Sequence, residues 1–435
     1  MENEAEMSGV PASRRPKQSP TQIGNHQLSP ETLMMGFGFD PTLSEGSLKA
    51  PIFLTSTFVF ETAAHGKRFF EGITGKRPGG AEGLVYSRFN GPNQEILEAR
   101  LKLWERAEEA LAFSSGMSAI ATLLLTYARP GDVIVHSGPL YAATETLIAK
   151  ILGQFGITWL DFPAGATQEE IAAVIEAAKA KGRLSLIYLE SPANPTNALV
   201  DVEAVRAARD AAFPGDEKPP IAIDNTFLGP LWAKPLDQGA DITVYSLTKY
   251  AGGHSDLVAG GLVGSKKFLL PIRMMRNTIG TICDPNTAWM LLRSLETLEL
   301  RMSRAGENAA KVCAFLRDHP KVESVGYLGF LEEGSRQADI YKRHCTGAGS
   351  TFSLYLKGGE KEAFAFLDNL TIAHLAVSLG GTETLASAPA AMTHLSVPDE
   401  RKAALGITDN LVRISIGVEN ADDLIADFAH ALDAV

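Results

Sequence analysis

Charged and hydroxyl side chains follow several short apolar segments of this 435-residue chain. Glu190 follows the apolar segment 184–189, Asp224 follows 221–223, and Lys249 comes shortly after 242–245. If these segments are strands of an open parallel sheet, the three side chains lie at its carboxyl edge, where such sheets bind ligands. An amine and a carboxylate at one edge are able to bind an aldehyde covalently and to pair with a protonated ring nitrogen.

A pyridoxal-phosphate site needs these two groups, and in addition donors for the phosphate and a flat group against the ring. Ser246 and Thr248 are close to Lys249 in the sequence and supply two hydroxyl donors. Tyr141 begins a predicted helix and is a candidate for the group that stacks on the ring. The residues therefore predict pyridoxal phosphate held by Lys249, with Asp224 as the anion that keeps the ring nitrogen protonated.

A candidate phosphate site lies at residues 113–118, where Phe-Ser-Ser-Gly-Met-Ser precedes an apolar helix. The N–H groups of Gly116 and Met117 are candidate donors, because a helix N-terminus favours anions. The same segment is equally typical of a plain helix start. A lysine after a strand is usually a solvated charge, and an aspartate there usually caps a turn or helix. Only the combination of these residues in this order points to the cofactor.

The elements that would position these residues alternate regularly between residues 91 and 300. The predicted strands are 132–136, 157–160, 184–189, 221–223 and 242–245, and the predicted helices include 94–108, 141–155, 168–181 and 202–212. This alternation predicts an α/β fold with a mostly parallel central sheet and helices on both faces. Helices near 285–302, 305–318 and 421–432, with strands 349–356 and 411–416, predict a smaller C-terminal α+β domain over 301–435.

The N-terminal region has a different composition. Residues 1–28 are rich in Ser, Pro and charge and lack the apolar core of a signal peptide, so they predict a disordered lead. Residues 29–90 appear irregular, with an apolar patch at 52–60 and a glycine-rich loop at 72–83. We expect this region to be an N-terminal arm that contacts a partner subunit.

The overall composition excludes several classes of protein. A formal net charge of −11 argues against binding to nucleic acid or to an anionic membrane. No apolar stretch is long enough to cross a bilayer. Three irregularly spaced cysteines fit neither a disulfide framework nor a zinc site, and they indicate a reducing, cytoplasmic location with no metal.

Four segments resemble the Cys/Met-metabolism enzymes of fold type I, the cystathionine γ-synthase/γ-lyase group. They are residues 189–196 (Leu-Glu-Ser-Pro-Ala-Asn-Pro-Thr), 224–226 (Asp-Asn-Thr), 246–250 (Ser-Leu-Thr-Lys-Tyr) with Gly-His at 253–254, and 411–417 (Leu-Val-Arg-Ile-Ser-Ile-Gly). The resemblance extends from about Thr55 to the C-terminus and is most specific at 246–261. It implies a fold type I pyridoxal-phosphate transferase, in which Lys249 binds the cofactor and Asp224 pairs with its ring nitrogen.

The resemblance also implies roles for the other residues. Tyr141 would stack on the cofactor and serve in catalysis, and Glu190 would have a supporting structural role. The phosphate ligands would be Ser246, Thr248, Gly116 and Met117, joined by Tyr86 and Arg88 from the neighbouring subunit, with Tyr86 also assisting catalysis. The carboxylate of an amino-acid substrate would be held by Arg413 with Ser378 and Asn194, as suits a planar bidentate donor. A dimer would then be the minimal active unit, and the family suggests a tetramer.

Two features near Tyr86 and Arg88 depart from the family pattern. The family usually has Asn-Pro-Thr after Arg88, whereas this chain has Gly-Pro-Asn at 91–93. The glycine-rich stretch before Tyr86 is also longer than in most relatives. The first change alters the entry to a helix and leaves the chemistry in place, whereas the second concerns the rim of the active site.

Two positions bear on the substrate. Cystathionine-handling members resemble one another in carrying acidic residues where this chain has Val85 and Val377. An apolar pocket fits the S-methyl end of methionine better than a second ammonium group. Many methionine γ-lyases have a cysteine near the stacking tyrosine, where this chain has Ala142 and Ala143. This difference counts against methionine, whereas the two valines favour it.

We therefore expect a carbon–sulfur lyase that converts methionine to methanethiol, ammonia and 2-oxobutanoate. The alternatives of the same class are γ-replacement by an O-acylhomoserine sulfhydrylase, and cystathionine γ-lyase or γ-synthase activity. A nicotinamide dehydrogenase is disfavoured because no G-x-G-x-x-G lies between a first strand and helix. A catalytically silent binding protein remains open, because a fold does not fix function.

Overall fold

The computed structural model describes residues 20–78, 83–395 and 397–435. The helices in these ranges are α1 (Pro30–Leu33), α2 (Ala63–Ile73), α3 (Pro92–Trp104), α4 (Gly116–Tyr127), α5 (Ala142–Thr146), α6 (Gln168–Lys181), α7 (Val202–Ala212), α8 (Gly229–Trp232), α9 (Pro235–Gln238), α10 (Lys266–Ile279), α11 (Pro285–Leu295), α12 (Leu298–Arg317), α13 (Arg336–His344), α14 (Glu360–Asp368), α15 (Asp399–Ala404) and α16 (Ala421–Asp433). The strands are β1 (Gln22–Ile23), β2 (His26–Gln27), β3 (Glu109–Phe113), β4 (Val133–Gly138), β5 (Thr158–Pro163), β6 (Leu184–Glu190), β7 (Ile221–Asp224), β8 (Ile242–Ser246), β9 (Gly260–Gly264), β10 (Val322–Gly326), β11 (Thr351–Leu356), β12 (His374–Leu375), β13 (Leu385–Ser387) and β14 (Leu411–Ser415).

A seven-stranded sheet has the order β3-β9-β8-β7-β6-β4-β5. Strands β4 to β8 are mutually parallel, and β9 runs antiparallel to both β8 and β3. All seven residues of β6 are buried, as expected of a parallel strand that is covered by helices on both faces. The predicted mostly parallel α/β sheet is confirmed, and each of its five predicted strands is present.

The sequence did not predict β3 and β9, the antiparallel part of this sheet. Strand β9 contains three glycines, which weaken the pattern of a strand. Two of them are required by close packing: a Cβ at Gly260 would lie 2.1 Å from the Ser115 carbonyl oxygen, and one at Gly264 would lie 2.5 Å from the Asp241 carbonyl oxygen. The close approach of these backbones therefore requires glycine, and the glycines are the reason why the sequence pattern did not predict the strand.

A five-stranded sheet in the C-terminal part has the order β10-β11-β14-β13-β12 and is antiparallel except between β12 and β13. Its apolar face packs against α12, α14 and α16, around the buried side chains of Phe352, Phe366 and Phe428. Helix α12 contributes Leu298 and Met302 to the core of the large sheet, and its later turns to the core of the small sheet. The proposed division of the chain at residue 300 therefore falls inside a continuous helix, and it remains a prediction.

The N-terminal region is more regular than predicted. Of the expected disordered lead, residues 1–19 lie outside the described residues, but β1 and β2 form a hairpin around Gly24, whose φ of +58° permits the tight turn. The expected irregular region contains α2, which Thr62 caps by accepting a hydrogen bond from the His65 N–H with its side chain. Gly66 and Gly72 obscured this helix, because glycine lowers helix propensity. The helix enters the predicted glycine-rich loop, and the loop residues 79–82 lie outside the described residues.

Three helical predictions differ in their boundaries. The predicted helix 141–155 consists of α5, a π-helical turn (Leu147–Ile151) and a 3₁₀ turn (Leu152–Phe155). The predicted helix 94–108 is α3, which ends at Trp104. The break expected near residue 303 occurs instead between α11 and α12, at residues 296–297. None of the helices in the described ranges is long and apolar enough to cross a membrane.

Candidate active site

A cavity of about 310 Å³ lies between the carboxyl ends of β6, β7 and β8 and the loops of the small sheet. Its lining contains ten of the twelve residues that the sequence proposed for cofactor and substrate: Gly116, Met117, Tyr141, Asn194, Asp224, Ser246, Thr248, Lys249, Ser378 and Arg413. The side chains of Lys249 and Asp224 thus face one cavity, as a shared cofactor requires.

Lys249 follows β8 in a turn in which its N–H donates to the Ser246 carbonyl oxygen. Its Nζ lies 2.8 Å from the Ser378 Oγ. Burial and the nearby Arg413 guanidinium lower the pKa of Lys249 to about 8, whereas the Asp224 carboxylate acts in the opposite sense. The amine therefore has a larger neutral, nucleophilic fraction near neutral pH than an ordinary lysine.

Asp224 is the last residue of β7 and lies beside Val244 of β8 in the sheet. Its Oδ1 accepts a hydrogen bond of 3.0 Å from the Thr226 N–H, and the Thr226 Oγ1 accepts one of 2.9 Å from the Ser246 N–H. Burial raises the pKa of Asp224, while hydrogen bonding from Thr226 opposes that rise. The sequence analysis did not assign Thr226, although Asp-x-Thr after a strand is a recognisable turn signal.

The first turn of α4 lies beside Ser246. The Ser115 side chain caps the helix by accepting the Ser118 N–H, and the Ser118 side chain accepts the Ser115 N–H in return. The first-turn amides of a helix have no acceptor within the helix, and Gly116 and Met117, which carry two of these amides, line the cavity. A Cβ at Gly116 would lie 3.0 Å from the Ser246 Cβ, so glycine keeps open the space between these donors. This arrangement fits a phosphate group.

Arg413 lies in β14, opposite Ser353 of β11 and Ser387 of β13, and only 4% of its surface is exposed. Its Nη1 donates to the Asn194 Oδ1 at 3.2 Å and its Nη2 to the Ser378 carbonyl oxygen at 2.9 Å. Burial lowers the pKa of Arg413 to about 10. A buried guanidinium whose hydrogen-bond partners are neutral favours an anionic ligand, and a substrate carboxylate has the matching geometry.

Glu190, for which the sequence analysis proposed a supporting structural role, accepts hydrogen bonds from two separate segments. One carboxyl oxygen accepts the Tyr141 N–H at 2.7 Å, and the other accepts the Asn194 N–H at 2.9 Å. Burial and the neighbouring Asp224 carboxylate raise the pKa of Glu190 to about 8. Tyr141, at the N-terminus of α5, keeps 40% of its surface exposed and lies at the cavity.

Tyr86 and Arg88 lie outside this cavity. Tyr86 is 41% exposed and forms an isolated β-bridge with Thr57. The Arg88 guanidinium lies 4.9 Å from the centre of the Phe89 ring and donates to the Asn277 carbonyl oxygen. Their expected place in a neighbouring subunit's site therefore stays a prediction.

The two valines used in the substrate argument differ in position. Val377 lines the cavity, whereas Val85 is outside the lining, and its carbonyl oxygen accepts a hydrogen bond from the Phe58 N–H. The remaining lining residues that the sequence analysis did not assign are Ser115, Ile120, Pro192, Thr226, Phe227, Val258, Leu379 and Thr393. Ser115, Pro192 and Thr226 lie within motifs that the sequence analysis quoted without giving these residues a role. Phe227, Leu379 and Thr393 lie outside helices and strands, and neither periodicity nor a quoted motif distinguishes them.

Comparisons with known proteins extend over nearly the whole chain. A family model described as Cys/Met metabolism PLP-dependent enzyme matches residues 31–433. The L-methionine gamma-lyase of Fusobacterium nucleatum subsp. polymorphum is 38% identical over 392 residues, which cover 90% of this chain and 94% of that protein. The cystathionine gamma-lyase of Bacillus subtilis (strain 168) is 34% identical, over 94% of this chain and 100% of that protein.

Solved structures give the same picture. The crystal structure of cystathionine gamma synthase from Xanthomonas oryzae pv. oryzae in complex with aminoacrylate and cysteine matches with a TM-score of 0.83 and 30% identity. That match covers 94% of this chain and 98% of the solved chain. The matched regions therefore include both sheets and the elements that line the cavity.

Proposed function

This chain belongs to the family of Cys/Met metabolism PLP-dependent enzymes, and we propose that it catalyses γ-elimination on a sulfur amino acid, with methionine as the substrate. The cofactor of the family is pyridoxal 5′-phosphate. The observation that carries the proposal is the single cavity that contains Lys249, Asp224, Arg413 and the apolar side chain of Val377. An amine, an anion, a carboxylate-binding guanidinium and an apolar wall are the four groups that this reaction needs.

The proposed cofactor ligands follow from the cavity. Lys249 would bind the cofactor covalently, and Asp224 would pair with its ring nitrogen. The phosphate would be held by Ser246 and Thr248 together with the first-turn amides of α4, and the ring would lie against Tyr141. The donors that line the cavity and the space kept open at Gly116 support this placement.

When bound, pyridoxal phosphate supplies an electron sink next to the substrate Cα. We propose that Lys249 Nζ, once the substrate amine has replaced it, removes the proton from Cα and then transfers a proton at Cβ. The Arg413 guanidinium would hold the substrate carboxylate, and the Tyr141 hydroxyl would donate a proton to the departing sulfur. With one water, methionine gives methanethiol, ammonia and 2-oxobutanoate.

The choice of methionine rests on the apolar wall and on the relatives. Val377 presents no charge to the end of the substrate, so the neutral S-methyl group fits better than the ammonium of cystathionine. The L-methionine gamma-lyase of Fusobacterium nucleatum subsp. polymorphum, at 38% identity, supports the same choice. Cystathionine as substrate is supported by the gamma-lyase of Bacillus subtilis at 34% identity, and it is the first competitor to test.

A substrate panel tests the proposal directly. Purified enzyme is supplied with methionine, with cystathionine, and with O-acetylhomoserine plus sulfide, and methanethiol and 2-oxobutanoate are measured. We expect the highest kcat/KM with methionine. Preferential formation of homocysteine from O-acetylhomoserine would replace the proposal by γ-replacement, an activity of the same class as that of the cystathionine gamma synthase from Xanthomonas oryzae. No activity on any member of the panel would refute it.

We also propose that the active unit is a dimer. Leu48, Leu54 and Val59, in the N-terminal arm, are each more than 80% exposed, which is unusual for apolar residues of one subunit and favours a partner surface. Tyr86 and Arg88 follow this arm. Mixing inactive Lys249→Ala protein with inactive Arg88→Ala protein under subunit exchange is expected to restore activity, because a mixed dimer has one intact site. Failure to restore activity despite exchange would contradict a shared site.

A further inference from the structure

The Glu190 side chain connects two segments that carry different functional residues. One of its carboxyl oxygens accepts the N–H of Tyr141, 49 residues earlier, and the other accepts the N–H of Asn194. The Asn194 side chain in turn accepts a hydrogen bond from the Arg413 guanidinium. We propose that Glu190 is a positioning residue that sets the Tyr141 ring and the Asn194–Arg413 pair relative to each other.

The carboxyl group is itself held firmly. Glu190 is the last residue of β6, where it pairs with Asp224 of β7, and only 4% of its surface is exposed. Its own N–H donates to the Ser137 Oγ of β4 at 3.0 Å. Glu190 therefore projects from the middle of the parallel sheet, and its position relative to Asp224 is fixed by strand pairing.

Each of its two hydrogen bonds controls a different part of the site. Tyr141 immediately precedes α5, so the bond to its N–H determines where the helix begins and how the Tyr141 ring meets the cavity. Asn194 lies in the loop after β6, and the bond to its N–H holds its side chain beside Arg413. If Tyr141 stacks on the cofactor and Arg413 holds the substrate, as proposed above, Glu190 positions cofactor and substrate together. The inference rests on the proposed function in this respect.

The chemical type of the side chain has a physical reason. Two backbone donors approach two different oxygen atoms, and a carboxyl group offers acceptors at both positions. Glutamine has nearly the same shape, but its nitrogen cannot accept, so one of the two N–H groups would face a donor. Burying a second carboxyl beside Asp224 is unfavourable. The need for two acceptors explains why this position nevertheless carries a glutamate.

A matched control lies in the small sheet. Asp427 of α16 is also 4% exposed, and its two carboxyl oxygens accept the N–H groups of Thr371 and Ala373 at 2.7 and 2.9 Å. The residues that it contacts are outside the cavity lining. Asp427→Asn therefore removes one acceptor from the same kind of bridge, away from the cofactor and the substrate.

The experiment compares Glu190→Gln with Asp427→Asn as holoenzymes. We measure thermal unfolding, the circular dichroism of the bound cofactor, the dissociation constant of glycine from its effect on cofactor absorbance, and kcat and KM. Both variants are expected to unfold at lower temperature than the wild type. Only Glu190→Gln is expected to change the cofactor dichroism, to weaken glycine binding and to lower kcat/KM, the last by about 10-fold or more, because small misplacements of reacting groups cost 10²-fold in known cases.

Two results would overturn the inference. One is a Glu190→Gln protein whose cofactor dichroism and glycine affinity equal those of Asp427→Asn. The other is a change in only one of these two signals, since that would show that Glu190 holds one segment and does not connect both. If Glu190→Gln does not fold, Glu190→Asp takes its place, because its shorter side chain keeps both acceptor oxygens but draws them back from the two N–H groups. Both signals are then expected to change relative to Asp427→Asn, and the same two results would overturn the inference.

The outcome is separable from that of the proposed function. The dichroism and glycine measurements need no turnover, so they report on Glu190 even if methionine is not the substrate. Absence of activity across the substrate panel, with both signals changed in Glu190→Gln, would refute the proposed reaction and leave the positioning role intact.

Discussion

The cavity has two walls that are built in different ways. The large-sheet wall consists of Asp224, Ser246 and Lys249 at the ends of neighbouring strands, together with the first turn of α4. The small-sheet wall consists of Val377, Ser378 and Thr393 in loops, together with Arg413 in β14. Strand pairing fixes the first wall, because Asp224 lies opposite Val244 and Glu190 opposite Asp224 in the sheet. The second wall has only one residue in a strand.

The loops of the small-sheet wall are less constrained. Ser378 has a φ of +109°, a conformation that costs energy for a residue with a Cβ. Val377, beside it, is 57% exposed. We propose from this difference that the large-sheet wall holds the cofactor in a fixed geometry and that the small-sheet wall selects the substrate. Changes in the first wall should abolish the reaction, and changes in the second should tune it.

The largest effect is expected for Lys249→Ala, in the large-sheet wall. The variant loses both the covalent ligand of the cofactor and the proposed base, and general acid–base catalysis alone typically contributes about 10²–10⁴-fold. We expect a loss of at least about 10³-fold in kcat, and absence of the visible cofactor band that borohydride bleaches in the wild type. Lys311→Ala, at an exposed position of α12, is the control. A Lys249→Ala protein that keeps the band would contradict the assignment.

A smaller effect is expected for Arg413→Lys, in the small-sheet wall. Lysine keeps the charge but loses the planar pair of donors for a carboxylate. Hydrogen bonds to charged groups contribute about 1.5–3 kcal/mol, so kcat/KM should fall by about 10- to 100-fold, mainly through KM, while the cofactor spectrum stays unchanged. Arg304→Lys, at an exposed position of α12, serves as the control. A fall in kcat larger than the rise in KM would show that Arg413 belongs functionally to the other wall.

The pH dependence of cofactor binding links the two walls through Lys249. Only the neutral amine attacks the cofactor, so the reconstitution rate of apoenzyme should rise with pH up to the pKa of about 8 and then level off. The Asp224 carboxylate raises the pKa of Lys249 and the Arg413 guanidinium lowers it. Asp224→Asn should therefore move the midpoint to lower pH, and Arg413→Gln should move it to higher pH. Shifts in the same direction would contradict this account.

The large-sheet wall was predictable from the sequence because its residues follow apolar strands directly. The predicted strand 221–223 is β7 without its last residue, which is Asp224 itself, and 242–245 is β8 without Ser246. For such strands, the apolar segment determines the element and the next polar residue lies at the ligand-binding edge. Arg413 was assigned on different grounds, through the resemblance to the family and because a carboxylate favours a planar bidentate donor.

Much of the remaining site depends on contacts that are distant in the sequence. Thr393 and Leu379 reach the cavity from loops, and no periodic pattern places them there. The connection from Tyr141 through Glu190 to Asn194 is made by one side chain and two backbone N–H groups. Because every residue except proline has such an N–H group, the identities of Tyr141 and Asn194 do not predict the connection. The antiparallel strand β9 was missed because its glycines reflect close backbone packing rather than strand propensity.

The smallest effect, and the most selective one, is expected for Val377→Glu in the small-sheet wall. The new carboxylate would attract the distal ammonium of cystathionine, and an exposed charge pair contributes about 0.2–1 kcal/mol. The ratio of kcat/KM for cystathionine over methionine should therefore rise by about 1.4- to 5-fold. Val258→Glu is the matched control, because Val258 lines the same cavity before β9 and is 59% exposed, close to 57% for Val377. There the carboxylate should repel the cofactor phosphate, and cofactor affinity should fall without a gain for cystathionine. An equal change of substrate preference in both variants would contradict separate roles for the two walls. Substrate selection would then depend on the total charge of the cavity and not on the position of that charge.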